Sequence, residues 1–502
     1  MIPTQEQIDI AEAVKTQPII KINAFAGTGK TSTLQMIANT YRSKKILYLA
    51  FNKAIQLEAQ SKFPSNVDVK TTHALAYGNV KRFAPMVKMD KVTNYRVMDI
   101  SKILSVDYNT ANAVAVIFEN WCNSSSISLF SESTDDKYKL HLQRWFDLLD
   151  NGQIDCTHSF YLKKYHLLLR SEKAKKVNYD IVLLDEAQDT NDVTLDIFNC
   201  IESPRKILVG DRHQQIYSFR GSKNVIDKIN ATELNLTETF RFPQDIADVA
   251  NQILKKFKLE NHNIKTKISN DMFPEINSEA YISRTNALLI AKIDDIISDN
   301  KHNKFRTIRN PEEIFSLTKE IYFLLTGDRA EISKNKFLLN FKDEEDMDNY
   351  ISETDDSELR TALKAAIKYK DRLLYLEELA IENFKKYKVS HEADCLYLTT
   401  AHTAKGLEWD RVEVADDFYD FAELLAKNDF EDVYAYYSAL KAGKVKSDVT
   451  DEFNLFYVAC TRAKKQLLID ESCNSEYLDM EINDFNYIVA KIYATLKEEY
   501  KG

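Results

Sequence analysis

Short apolar runs and helix-period segments alternate at both ends of the chain, and several of the runs end in small or acidic residues. Thr4-Gln5-Glu6-Gln7 opens a predicted amphipathic helix with Ile8, Ala11 and Val14 on one face. Pro18–Ile22 reads as a strand, a small-residue loop follows, and Thr31–Tyr41 reads as a helix. Lys45–Phe51 is nearly continuously apolar, the pattern of a strand buried on both faces of a parallel sheet. Asn52-Lys53 starts another helix, Val67–Val69 is a third strand leading into Thr71-Thr72-His73-Ala74, and Asp180–Leu184 and Lys206–Val209 are two more. The alternation predicts an α/β protein with parallel sheets. It lapses from Tyr77 to Lys176 and again from Asn300 to Val389, where helical patterns and polar loops take over.

The loop between the first strand and its helix carries the clearest chemistry. Lys21–Thr33 reads Lys-Ile-Asn-Ala-Phe-Ala-Gly-Thr-Gly-Lys-Thr-Ser-Thr. A small-residue loop feeding a helix N-terminus points backbone N–H groups at one place, where phosphate oxygens are favoured. Gly27 and Gly29 let the backbone approach the phosphates, Lys30 would reach the β- and γ-phosphates, Thr31 would offer a hydroxyl to magnesium, and Ala26, Thr28 and Ser32 are further candidates for nucleotide binding. Ala24 stands where the general pattern has glycine.

Two further strand ends bear on that clamp. Asp180–Leu184 runs into Asp185-Glu186-Ala187-Gln188-Asp189, at the strand edge where parallel sheets bind ligands. Asp185 is the candidate to hold magnesium through water and Glu186 the candidate base for the attacking water, although strands ending in two acids are common on their own. Lys206–Val209 leads into Gly210–Gly221, where Gln214, Tyr217, Phe219 and Arg220 suit a loop that senses nucleotide and stacks on bases, or else core aromatics. Gln7 is read either as an adenine contact or as a solvated helix-start residue. Lys163–Lys176, with six Lys/Arg against one Glu, is read either as a DNA-facing patch or as a solvated helix face.

Composition narrows the class. A chain of 502 residues exceeds one typical domain. Its net charge of -10 neither invites nor excludes nucleic acid, because a groove can be basic on an acidic protein. Six cysteines lie scattered with no Cys-x-x-Cys pair, against zinc or iron–sulfur ligation and in favour of a reducing compartment. The start lacks a leader pattern and no apolar run is long enough for a bilayer, so a soluble intracellular protein is expected. Of only 10 glycines, Gly27, Gly29, Gly210, Gly221 and Gly406 fall inside the motifs discussed, where backbone must turn or approach a ligand.

Gln7, the clamp, Asp185–Asp189 and Gly210–Gly221 together resemble the superfamily 1A helicases of the UvrD/Rep type. Glu238-Thr239-Phe240-Arg241, His402–Trp409 and Tyr457–Ala463 resemble further motifs of that family in the expected order. The wording Asn-Ala-Phe-Ala-Gly-Thr-Gly-Lys-Thr, His-Gln-Gln-Ile-Tyr-Ser-Phe-Arg-Gly and Ala-Asp-Asp-Phe is similar to the motor of the F-box DNA helicases. With only about twenty residues ahead of the clamp, no F-box is expected before it.

The resemblance implies two RecA-like P-loop motor domains with parallel sheets, each carrying a mostly helical insertion. The expected division is 1–76 with 177–235 (motor domain 1A), 77–176 (insertion 1B), 236–328 with 390–502 (motor domain 2A) and 329–389 (small insertion 2B). It implies ATP and Mg2+, with Gln214 sensing the γ-phosphate and Arg241 and Arg462 reaching it from the second motor domain. Phe240 would stack on adenine without the family tyrosine's hydroxyl, and Glu408 would contact ribose. Phe51, Asn52, His73, Tyr217, Phe219, Arg220 and His402 would contact single-stranded DNA, although Thr72 replaces an aromatic beside His73. Ile282–Asn286 resembles a short segment of the second motor domain. Lys342–Glu358, with nine acids and one lysine, argues against phosphate contact there. The implied activity is 3'-to-5' movement on single strands and unwinding from single/double-strand junctions, in repair, recombination or replication. The alternative is a DNA-stimulated ATPase acting as a switch beside a nuclease or recombination factor. No membrane role is expected; the location would be cytoplasmic at the nucleoid, or nuclear in a eukaryote.

Overall fold

β1 (Ile19–Ala24), β2 (Ile46–Ala50), β3 (Val67–Thr71), β4 (Ile181–Leu184), β5 (Arg205–Gly210) and β6 (Thr232–Leu236) form one parallel sheet in the order β3-β2-β4-β5-β1-β6. It belongs to the first of two units, Met1–Glu238 and Thr239–Gly502, into which the computed structural model divides. The structure describes residues 2–216, 226, 229–269, 275–299, 304–354, 356–387, 395–470 and 473–499.

Every residue of β2 and β4 is buried, which is the physical reason their sequences are almost unbroken apolar runs. Side-chain alternation splits them between two cores. Tyr48, Ile181 and Leu183 join Ile20, Ile22 and Val209 on one face, while Leu47, Leu49, Val182 and Leu184 join the other. The loops after β1, β4 and β5, adjacent in the sheet, therefore emerge at one edge. β1, β3 and β5 run a little longer than the sequence pattern predicts and β2 and β4 a little shorter, and β6 has no counterpart among the predicted strands.

The predicted helical stretch is present as helices Thr72–Phe83, Val97–Leu104, Tyr108–Asn123, Asp136–Asp150 and His158–Arg170. Its core is continuous with one sheet face, since Trp121, Trp145, Phe160 and Tyr165 cluster with Leu47, Leu49 and Leu184. Helix His158–Arg170 takes part of the basic segment out of both readings, while Arg170, Lys173, Lys175 and Lys176 stay exposed. Lys163 is buried, its ammonium donating to the carbonyls of Ser124 (2.8 Å) and Ser126 (2.5 Å) and lying 4.8 Å from the Trp121 ring centroid. Tyr165 and His166 are buried too, and Arg170 Nε donates to Asp196 at 2.7 Å. Spacing shows that a lysine lies on a helix, but the carbonyls that accept its hydrogen bonds come from a loop about forty residues earlier.

In the second unit, β7 (Glu279–Ser283), β8 (Phe305–Thr307), β9 (Leu396–Thr400), β10 (Trp409–Val414) and β11 (Ala463–Ile469) form a parallel sheet in the order β8-β9-β7-β10-β11. Helices Gln244–Lys258 and Ser447–Cys460 meet through Phe257 and Phe453, stacked at 4.8 Å. Helices Pro311–Thr326, Glu344–Thr354, Ser357–Tyr369 and Arg372–Lys386 make up the second helical stretch. The acidic run supplies the first turn of Glu344–Thr354, where negative charge complements the helix dipole, while Met347 and Ile351 face a small core with Leu324 and Leu363. Both parallel sheets and both helical insertions expected from the sequence are thus present.

Candidate functional site

At the end of β1 the chain turns tightly. Phe25 N–H donates to the Leu236 carbonyl (3.1 Å), and the Thr28 hydroxyl returns to the Phe25 carbonyl (2.8 Å). Gly27 (φ 74°) and Gly29 (φ 80°) sit in the left-handed region that a side chain would strain. Helix Lys30–Thr40 then starts one residue earlier than predicted. Its N-cap, Gly29, brings no side chain to cap it, and its first turn holds no acid. The first-turn N–H groups of Lys30, Thr31 and Ser32 and the positive end of the dipole are therefore available to an anion.

The acid pair faces this turn. Lys30 Nζ is 3.4 Å from both carboxylate oxygens of Glu186. Burial alone would lower the lysine's pKa, but Glu186, Asp211 and Asp185 outweigh it and hold the ammonium above its ordinary value. Asp185 is nearly buried (4% exposed) and is pushed up to about 6, first by burial and then by the Glu186 charge. Its Oδ1 accepts the Glu186 N–H at 2.9 Å, and its Oδ2 accepts the hydroxyl of Tyr48. Glu186 itself has φ 50° and ψ 45°, a left-handed conformation that costs energy in a non-glycine residue.

A relay leads from the acids to the loop after β5. Gln188 Nε2 donates to Glu186, and its Oε1 accepts the N–H of Asp211 at 3.1 Å. Asp211 in turn accepts the side-chain amide of Gln214 (2.8 Å) and the N–H of His213 (3.0 Å). His213 stacks on Phe25 in the clamp, with ring centroids 5.7 Å apart. Gly210 leaves room for the Gln188 bond, because a Cβ there would lie 2.2 Å from Gln188 Oε1 and displace it.

Thr31 and Asp185 supply a hydroxyl and a carboxylate, the hard oxygen donors that magnesium takes. Asp185, Glu186 and Asp211 outnumber Lys30, an excess of negative charge that a divalent cation would balance. The residues present fit the ion.

Gln7 is not the solvated helix-start residue of one of its two readings. It is 5% exposed and closes a capping box with Thr4, while its Nε2 donates to Thr33 Oγ1 at 3.0 Å, which bonds onward to Gly29 O. It braces the clamp helix from behind.

In the second unit, Arg241 Nε lies 2.9 Å from Glu408 and its Nη1 donates to the Thr461 carbonyl at 3.0 Å. Arg462 is 1% exposed, with Nε donating to Val458 O at 2.9 Å. These three motif segments therefore meet within one unit, although Glu408 faces an arginine. Phe240 is half-buried beside Arg241. Of the DNA candidates, Phe51 is exposed, Asn52 caps helix Lys53–Lys62 through Ile55 N–H (2.9 Å), and His73 is exposed with its ring 5.7 Å from Tyr161. His402 is half-buried on the short helix Ala401–Ala404. Tyr217, Phe219 and Arg220 lie outside the described residues.

Several partners escape sequence reasoning. Asp417 accepts the N–H groups of Arg284 (2.7 Å) and Thr285 (2.8 Å), and Arg284 makes a two-pronged pair with Glu452 at 2.8 and 2.9 Å. Tyr48 holds Asp185, and its one available signal was a hydroxyl inside an otherwise aliphatic strand, since buried tyrosines keep a hydrogen-bond partner.

Comparison with known proteins places these features. Residues 7–220 match the family model described as an AAA domain, and residues 153–474 match the UvrD-like helicase C-terminal domain. The chain is 29% identical over 511 residues to F-box DNA helicase 1 of Gallus gallus, covering 93% of this chain and 49% of that protein. It is 29% identical over 540 residues to F-box DNA helicase protein 1 of Schizosaccharomyces pombe, covering 94% and 58%. ATP-dependent DNA helicase Rep of Buchnera aphidicola is 24% identical over 241 residues, 40% of this chain and 36% of its own. The chain thus spans roughly half the length of the two F-box helicases it matches. Because the match over residues 153–474 takes in well over half of the sequence, the chain belongs to the UvrD-like helicase family.

Proposed function

We propose that this chain is an ATP-dependent DNA helicase and translocase that moves 3'-to-5' on single-stranded DNA and unwinds duplex from single/double-strand junctions, serving repair, recombination or replication. The observation that carries the reading is the connected set Lys30–Glu186–Gln188–Asp211–Gln214, which joins the phosphate clamp to the loop that leads into the base-stacking motif.

In this reading Ala26–Ser32 cradle the ATP phosphates and Lys30 neutralises the β- and γ-phosphates. Thr31 and Asp185 hold magnesium, which supplies charge neutralisation on the phosphates when bound. Glu186 takes the proton of the attacking water, and Gln214 registers the γ-phosphate. Arg241 and Arg462 offset the charge that develops there. Phe240 stacks on adenine, and Glu408 binds ribose once it leaves Arg241. Gln7 supports the clamp helix or, if its amide turns outward, the adenine. Phe51, Asn52, His73, Tyr217, Phe219, Arg220 and His402 grip the strand. The division into 1A (1–76, 177–235), 1B (77–176), 2A (236–328, 390–502) and 2B (329–389) follows from the same reading, as does a location at the nucleoid or in a nucleus.

The test is ATPase and strand separation on 3'-tailed and 5'-tailed duplexes, with Lys30→Ala and Glu186→Gln as controls. Unwinding from the 3' tail, abolished in both variants, is expected; efficient unwinding from a 5' tail alone would refute the polarity. The acidic helix Glu344–Thr354 favours a second reading, a DNA-stimulated ATPase that works beside a nuclease or recombination factor. DNA-stimulated turnover without strand separation by the isolated chain would select it.

A further inference from the structure

Tyr48 is the one polar side chain in the middle of β2, between Leu47 and Leu49. Its ring is 0% exposed and packs on Phe63 at 4.8 Å. The register pairs Tyr48 with Leu183 on β4, and the Asp185 N–H donates to the Leu49 carbonyl at 3.2 Å. Asp185, two residues beyond Leu183, therefore projects to the same face of the sheet as Tyr48. There the phenol hydroxyl donates to Asp185 Oδ2, and the other oxygen is held by the Glu186 N–H.

Three features make this contact more than local satisfaction of a buried hydroxyl. The phenol hydroxyl donates to the carboxylate itself rather than to a backbone carbonyl, so it acts on the group that would bind a cation. The ring is fully buried in the core against Phe63, which holds the hydroxyl in place. The two bonds, one to each oxygen, leave Asp185 no freedom to rotate its carboxylate, and partners of this kind set the orientation and affinity of metal-binding groups.

We propose that Tyr48 is a positioning residue for the magnesium-binding carboxylate, holding Asp185 in the orientation that receives the ion at the clamp. The inference rests on the assignment of Asp185 to magnesium made above. Substitution by phenylalanine keeps the ring and its packing and removes the hydroxyl alone.

The experiment titrates the full chain with Mn2+ in the presence of ADP, reading free Mn2+ by electron paramagnetic resonance, for wild type, Tyr48→Phe and Asp185→Asn. Metal-free ADP binding is measured alongside with a fluorescent ADP analogue, and folding by thermal unfolding. Tyr48→Phe is expected to raise the Mn2+ dissociation constant about tenfold or more, the usual effect of losing such a partner. Metal-free ADP binding should stay within about twofold, and ATPase should recover as Mg2+ is raised, a rescue that a merely structural loss would not show. Unchanged Mn2+ affinity in Tyr48→Phe, while Asp185→Asn loses it, would overturn the inference and leave the magnesium assignment standing. A fall in turnover that excess Mg2+ does not rescue, with Mn2+ affinity intact, would overturn it too. Wild-type Mn2+ affinity in Asp185→Asn would instead sink the magnesium assignment itself, and this inference with it.

Discussion

Lys30 Nζ stands 3.4 Å from each carboxylate oxygen of Glu186, so the clamp's cation and the acid pair's outer member neutralise one another within the site. Under the proposed function, triphosphate binding draws the lysine toward phosphate and leaves Glu186 with its charge uncompensated, the state a base needs. Glu186→Gln should therefore keep ATP affinity while lowering turnover about 100- to 10,000-fold, the range for losing a positioned base. Lys30→Ala should weaken ATP binding about 10- to 100-fold, as expected for one bond to a charged group. Equilibrium binding of a fluorescent ATP analogue and steady-state ATPase separate the two; full turnover in Glu186→Gln would remove it from the role of base.

Gly210→Ala tests the relay. A Cβ would press on Gln188 Oε1 at 2.2 Å and on the Ala187 backbone nitrogen at 3.1 Å, so Gln188 must give up its bond to the Asp211 N–H. The buried donor left behind costs about 1–3 kcal/mol, seen in chemical denaturation, and turnover should fall because Gln214 loses its support through Asp211. Wild-type ATPase in Gly210→Ala would show that the relay carries no catalytic information.

Arg284 and Glu452 form a two-pronged pair, their side chains only 16% and 17% exposed, with the guanidinium 4.2 Å from the Tyr419 ring centroid. Glu452→Ala should destabilise the second unit by about 3 kcal/mol, because it strands a mostly buried cation. Arg284→Met with Glu452→Leu should cost less than Glu452→Ala alone. Denaturation of wild type, Arg284→Met, Glu452→Leu and the double variant measures the coupling, and additivity would deny it.

The helix His158–Arg170 predicts a pH response. His166 Nε2 lies 2.7 Å from Asp196 Oδ2, and its Nδ1 has no partner among the described residues, as suits a neutral ring. Burial, then Lys163 and Arg170, lowers its pKa, although Asp196 pulls the other way. A folded-state pKa below the unfolded value of about 6.5 means that the unfolded chain takes up the proton first. The stability this histidine contributes is complete above about pH 6.5 and declines as pH falls toward the folded value. Denaturant unfolding between about pH 7.5 and pH 5.5 should show a drop that His166→Gln reduces; an identical slope in the variant would rule the histidine out.

Much of the site was legible in the linear order of residues. Lys30 and Glu186 belong to contiguous motifs in which strand, loop and helix follow one another, so local periodicity places their ends without knowledge of the rest. The basic segment shows the limit. Lys163, Arg170 and Tyr165 have the composition of a nucleic-acid patch, yet their partners Ser124, Ser126 and Asp196 come from other parts of the chain. Gln7 is similar, since the residue it holds, Thr33, lies beyond β1.

By itself, the sequence determined that the chain is built of parallel α/β sheets with helical insertions, that a phosphate clamp follows β1, and that an acid pair follows β4. Those properties depend on apolar periodicity, on small residues at turns and on order along the chain. Only the tertiary structure decided which groups face one another: Tyr48 with Asp185, Gln188 with Asp211, Asp417 with the backbone of Arg284 and Thr285, and Lys163 with two carbonyls. The reason is that such pairs depend on strand order and register, set by packing of residues far apart in sequence, where β2 comes to lie beside β4 although more than a hundred residues separate them.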